Sequence, residues 1–90
     1  MLYWPDKDPG DNLDYSLNWA ARLSAGETIT TSIWSAPAGI TLSSGGNTSS
    51  MTTCWIGGGL AGQTYVVVNT ITTNAGRTMN QSVTINVMPQ

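Results

Sequence analysis

Residues 64–73 and 78–87 each alternate at a period of two and are rich in β-branched side chains, and they flank Asn74-Ala75-Gly76-Arg77. This arrangement constrains the fold more tightly than any other stretch. Two β-patterned arms around a short segment with one Gly predict a long hairpin, with Gly76 supplying the positive φ of the reversal.

The rest of the chain repeats that grammar in shorter pieces. Tyr15, Leu17 and Trp19 alternate with Ser16, Asn18 and Ala20, which predicts a first strand with one buried face. An amphipathic helix over residues 13–23 is the competing reading, but the aromatic positions alternate better than they stripe. A second strand is expected over residues 27–35, with Ile29, Thr31 and Ile33 on one side and Thr28, Thr30, Ser32 and Trp34 on the other. Pro37-Ala38-Gly39 ends it. Ile40 and Leu42 mark a short third strand, the Ser/Gly/Asn/Thr cluster of residues 43–50 reads as exposed loop, and residues 51–56 return to strand. Gly57-Gly58-Gly59 and Leu60-Ala61-Gly62 then form a flexible connection that a helix would not tolerate. Six or seven short strands separated by turns at this spacing predict an all-β, immunoglobulin-like antiparallel sandwich over residues 14–90. Residues 1–13, broken by Pro5, Pro9 and Gly10, form an extended N-terminal arm.

Ninety residues make one domain that buries about 60 to 65% of its extended-chain surface. Only 9% of them are charged and the net charge is −2, with Lys7, Arg22 and Arg77 as the cations. Neither nucleic acid nor an anionic membrane is an expected partner for so small a positive charge. No apolar run reaches the length of a membrane span, and the N-terminus has no signal-peptide pattern, so the chain is expected to be made and kept in the cytoplasm, or assembled there into something larger. A single cysteine, Cys54, excludes an internal disulfide. The sequons at Asn47 and Asn80 are what so Ser/Thr-rich a chain produces by chance.

Catalysis is not expected, and neither is a cofactor. The chain lacks histidine entirely, which rules out Ser-His-Asp and Cys-His arrangements, and Cys54 in mid-strand reads as a small buried hydrophobe. Asp6, Asp8, Asp11 and Asp14 crowd one segment around Gly10, but their spacing matches no calcium loop; a solvated acidic loop with Asx-turns is the expectation, and no metal site. Trp19, Trp34 and Trp55 lie in expected strands and read as core filling. Trp4 stands beside Tyr3 in the arm, where two readings remain open: an exposed aromatic pair that anchors a partner, or an arm folded back over the sandwich.

Lys7-Asp8-Pro9, then Leu13-Asp14-Tyr15-Ser16-Leu17-Asn18-Trp19 leading to Arg22-Leu23, resembles the opening of the fiber-tail adaptor proteins, a family of small structural proteins of tailed bacteriophages. Glu27-Thr28-Ile29 with Trp34, Pro37 and Gly39-Ile40 looks like the middle of that family, and Gly62-Gln63-Thr64-Tyr65 through Thr73 with Gly76-Arg77-Thr78 like its C-terminal hairpin. The family pattern has further acidic residues after the Asp-Pro pair, where this chain has Gly10 and Asn12. The resemblance implies a non-enzymatic virion component of the tail or neck. It would link other phage structural proteins to one another or to fibers, in several copies around a symmetry axis. Tyr3, Trp4, Lys7 and Asp8 are then the expected partner-binding residues, with the arm reaching an adjacent subunit. The alternative is a stand-alone immunoglobulin-like adhesion or carbohydrate-binding module, in which Tyr3, Trp4 and Trp55 would stack on sugar rings.

Overall fold

The computed structural model describes residues 2–88. Its strands, in chain order, are β1 (Leu2–Tyr3), β2 (Leu13–Asn18), β3 (Ile29–Ser35), β4 (Ile40–Asn47), β5 (Met51–Gly58), β6 (Gln63–Thr73) and β7 (Thr78–Val87), with one 3-10 turn at Ala20–Arg22. They form two sheets, ordered β1-β7-β6-β3 and β2-β5-β4. All pairings are antiparallel except that of β1, which runs parallel to β7. The expected immunoglobulin-like sandwich is therefore present, with its first strand placed beside its last.

The predicted hairpin is the backbone of the larger sheet. β6 and β7 pair without interruption from Gln63↔Val87 to Thr72↔Thr78, and Gly76 has φ +80° in the turn. Alternation sends Val67, Ile71, Val83, Ile85 and Val87 inward, where they meet Leu17, Cys54 and Ile56 of the other sheet. Each such side chain contributes about 1.5–3 kcal/mol through removal from water. At the start of β6, Tyr65 accepts a hydrogen bond on its hydroxyl from the Leu60 amide at 3.0 Å, the corner typical of this sandwich. Gly59 is required beside it: its φ is +92°, and a Cβ there would stand 2.7 Å from Val87 Cγ2.

The two sheets are also joined by a buried polar network. Asn69, on β6, accepts hydrogen bonds on Oδ1 from the Thr52 hydroxyl (2.7 Å) and from Trp19 Nε1 (3.2 Å). Its Nδ2 donates to Ser32 Oγ (2.9 Å) and to the Ile33 carbonyl (3.1 Å). Trp19 Nε1 also donates to Thr52 Oγ1 at 3.2 Å. Every polar atom of the Asn69 side chain is thus satisfied, as a fully buried amide requires.

Several local expectations need correction. β3 carries a bulge between Ile29 and Thr31. That extra residue reverses the faces: Ile29 is buried, but Thr31 and Ile33 point to solvent while Ser32 and Trp34 turn inward. Residues 43–47, expected in a loop, continue β4, because pairing with β5 supplies the ladder that their Ser/Gly composition does not favour by itself. β5 likewise runs through Gly57 to Gly58 instead of ending at Ile56. The first strand stops at Asn18, so Trp19 begins the 3-10 turn yet still fills the core. Trp55 does not fill it. Cys54 and Ile56 take the inward positions of β5, and strict alternation leaves Trp55 42% exposed on the outside. Trp34 is half-buried against the core.

Candidate protein-binding face

The arm is an integral layer of the sandwich. From residue 2 to residue 7 it runs along β7, with Tyr3 paired to Thr84 and Lys7 bridged to Val87. The Trp4 amide donates to the Thr84 carbonyl (3.0 Å), the Lys7 amide to the Asn86 carbonyl (3.0 Å), and the Met88 amide to the Lys7 carbonyl (2.8 Å). Period-two alternation therefore separates the aromatic pair: Tyr3 is 58% exposed, and Trp4 is buried. Of the two open readings for the arm, folding back over the sandwich is the one realised by Trp4.

Trp4 joins an aromatic layer between the sheets. Its ring stacks on Tyr15 at a centroid distance of 4.7 Å and lies 5.8 Å from that of Trp34. The Tyr15 hydroxyl and Trp34 Nε1 are buried there and find no hydrogen-bond partner among the described residues. Burial, together with the negative charges of Asp11, Asp14 and Asp6, raises the pKa of the Tyr15 phenol above its usual value.

Lys7 is fully buried, a placement with no signal in the sequence. Its Nζ donates to the carbonyls of Asp8 and Gly58, each at 2.7 Å, and so ties the arm to the end of β5. Asp8 is half-buried and builds an Asx-turn, its Oδ1 accepting from the Gly10 amide at 2.8 Å. Among the described residues no three of Asp6, Asp8, Asp11 and Asp14, nor any other His, Cys, Asp or Glu side chains, come together as metal ligands. Of the four residues expected to meet a partner, only Tyr3 presents most of its side chain to solvent.

The remaining titratable groups serve the fold. Burial pushes the Cys54 thiol up to about 12, which leaves it protonated and unreactive at neutral pH. Glu27 is held below the usual carboxylate range by the Ser24 amide (2.8 Å), the Thr73 hydroxyl (2.6 Å) and Arg77 (2.9 Å). Arg22 lies over the Trp19 ring at 5.0 Å. All three cations are thereby engaged within the fold.

What the fold leaves outside is a face without charge. No residue from Thr28 through Gly76 is charged. The outward side chains of β3, β6 and β7 belong to that span or to the uncharged sequence of β7, and Tyr3 completes the face on β1. Hydroxyl and amide pairs run across it, with Thr70 donating to Asn80 (2.6 Å) and Thr64 to Asn86 (2.8 Å). Between them stand three exposed apolar side chains: Ile33 at 66%, Tyr3 at 58% and Val66 at 47%. Tyr3 and Val66 share one cross-strand row through Thr84, which is buried between them. Exposed apolar groups inside a charge-depleted field are the composition of the centre of a protein–protein interface. Sequence reasoning reached Tyr3 through the aromatic pair but missed Ile33 and Val66; the long uncharged span was the available signal. Tyr3 and Trp55 lie on opposite outer faces and Trp4 is inside, so the three aromatics do not form one sugar-stacking platform.

The fold is thus an immunoglobulin-like sandwich that engages its cations and its thiol internally and shows an uncharged, partly apolar sheet. The profile of the podophage GP4 fiber-tail adaptor protein gp77 family matches residues 7–86, and the chain belongs to that family. No curated protein matches the chain significantly.

Proposed function

We propose that the protein is a non-enzymatic component of the phage tail that joins fibers to tail or neck proteins through direct contact. The outer face of the four-stranded sheet is its docking surface. The observation that carries this reading is the coincidence of Ile33, Val66 and Tyr3, all exposed, on a face with no charge to desolvate. Membership of the adaptor family supports it. β3, the outer strand of that sheet, also lacks the charged residues that ordinarily block strand addition, so a neighbour or a second copy in a symmetric ring can extend it. Assembly takes place in the host cytoplasm, without nucleic acid or membrane as a partner.

The test is co-assembly with purified tail complexes lacking this protein. Wild type binds, whereas Val66→Lys and Ile33→Lys lose binding by at least tenfold with unchanged melting temperatures, because both positions face solvent. Tyr3→Ala, which introduces no charge, weakens binding less. Wild-type binding by both lysine variants would remove this face from the account.

A further inference from the structure

The opposite outer face, that of the three-stranded sheet, has different chemistry. Its central strand, β5, presents Trp55 to solvent, with Asp14 directly across on β2 and Ser43 directly across on β4. Directly opposed residues have Cβ atoms about 4.5–5.5 Å apart, so a carboxylate stands beside the exposed indole. The next row is already satisfied internally, Ser16 Oγ and Thr53 Oγ1 lying 2.9 Å apart. Trp55 takes no part in the core or in the aromatic layer among the described residues.

The sign of the local field follows from where the charges go. Arg77 pairs with Glu27 in the hairpin corner, Arg22 covers Trp19, and the Lys7 side chain is fully buried. Asp14 lies on this face itself, directly across from Trp55. The face bearing Trp55 therefore presents a carboxylate beside the indole, whereas the four-stranded face is neutral.

We propose that this second face docks an arginine-bearing segment of a partner protein, its guanidinium stacked on Trp55 and paired with Asp14. Arg fits better than Lys because its planar, weakly hydrated cation can stack on an indole and donate in-plane hydrogen bonds to a carboxylate together. Trp and Arg are also the side chains that most often dominate the binding energy of protein interfaces. A saccharide fits less well: no pocket opens among the described residues, and this face carries one aromatic ring. The surface is separate from the neutral face assigned above, and an adaptor joining two neighbours needs two such surfaces. The proposal rests on the adaptor reading only for the existence of a partner.

The probe is a blocked peptide, acetyl-Gly-Arg-Gly-Arg-Gly-amide, titrated into the 15N-labelled protein, with the lysine counterpart and maltohexaose as comparisons. Saturable shifts are expected at the Trp55 indole N–H and the Asp14 amide, weakening with salt, with the arginine peptide at least threefold tighter than the lysine one. Trp55→Leu and Asp14→Asn each weaken binding at least fivefold, while Asp6→Asn changes it less than twofold. Thermal melts confirm that these surface variants fold. Undiminished binding by Trp55→Leu, shifts scattered over all acidic residues, no saturable shift at all, or saturation of Trp55 by maltohexaose in place of the peptide would each overturn the proposal. None of these outcomes bears on tail binding through Ile33 and Val66.

Discussion

Replacing Asn69 by alanine removes a buried amide that joins the two sheets, and its cost can be worked from the contacts it leaves behind. The Thr52 hydroxyl loses its acceptor and the Ile33 carbonyl loses a donor, whereas Trp19 Nε1 keeps Thr52 Oγ1 and Ser32, half-buried, can turn toward water. Two orphaned groups at about 1–3 kcal/mol each, plus the small void left by the amide, give a loss of roughly 3–5 kcal/mol. That is a large share of the ~5–15 kcal/mol that holds a domain of this size together. At about 4–8 °C per kcal/mol, the melting temperature should fall by some 15–30 °C. Urea unfolding followed by circular dichroism gives the free energy directly. Thr52→Val is the control. Alone it costs about 1 kcal/mol, because Asn69 Oδ1 still accepts from Trp19; combined with Asn69→Ala it adds little, since the loss of the orphaned hydroxyl offsets the Trp19 N–H that is then left without an acceptor. A loss below 1 kcal/mol for Asn69→Ala, or strictly additive effects in the double variant, would refute the claim that this network joins the sheets.

Other expectations follow from the same contacts. Trp4→Ala should destabilise by about 3–5 kcal/mol in thermal melts, and deletion of residues 1–7 should leave the chain largely unfolded, because the arm supplies Trp4 and Lys7 to the interior. Tyr15→Phe should be neutral or stabilising by up to ~1 kcal/mol, since it deletes a buried hydroxyl that has no partner while keeping the ring stacked on Trp4. Glu27 has a folded-state pKa below its unfolded value near 4.5, so its contribution is complete above that pH and is lost as the pH falls through the folded pKa; stability measured from pH 6 to 2 should decline below about 4.5, and Glu27→Gln should flatten that decline. Cys54 should resist Ellman's reagent in the native protein and react fully in denaturant, as a buried thiol of pKa about 12 must.

The distance between sequence and structure can be traced residue by residue. Alternation in residues 64–73 and 78–87 specified the long hairpin because a period of two is a local property of extended backbone, and Gly76 marked its turn for an equally local reason. The two-sheet architecture followed from the number and spacing of such runs, and the absence of histidine closed off Ser-His-Asp and Cys-His arrangements without any geometry. The bulge after Ile29 was not legible. One extra residue reverses the exposure of Ile33 and Trp34, and it is fixed by pairing with β6, forty residues away. Residues 43–47 became strand because β5 offered a partner, which no local propensity records.

The docking faces divide in the same way. A charge-free span from residue 28 to 76 is written in the chain, yet only the folding of β1, β3, β6 and β7 into one sheet gathers Tyr3, Ile33 and Val66 on a common side. The sequence by itself determined which side chains alternate, where the chain reverses and how little charge it carries, since those depend on neighbours along the backbone. Which side of each strand meets water was decided by tertiary structure, because that turns on register between segments distant in the chain. Trp4 went inward, Trp55 outward and Lys7 into the interior on the strength of contacts that exist only once both sheets are in place.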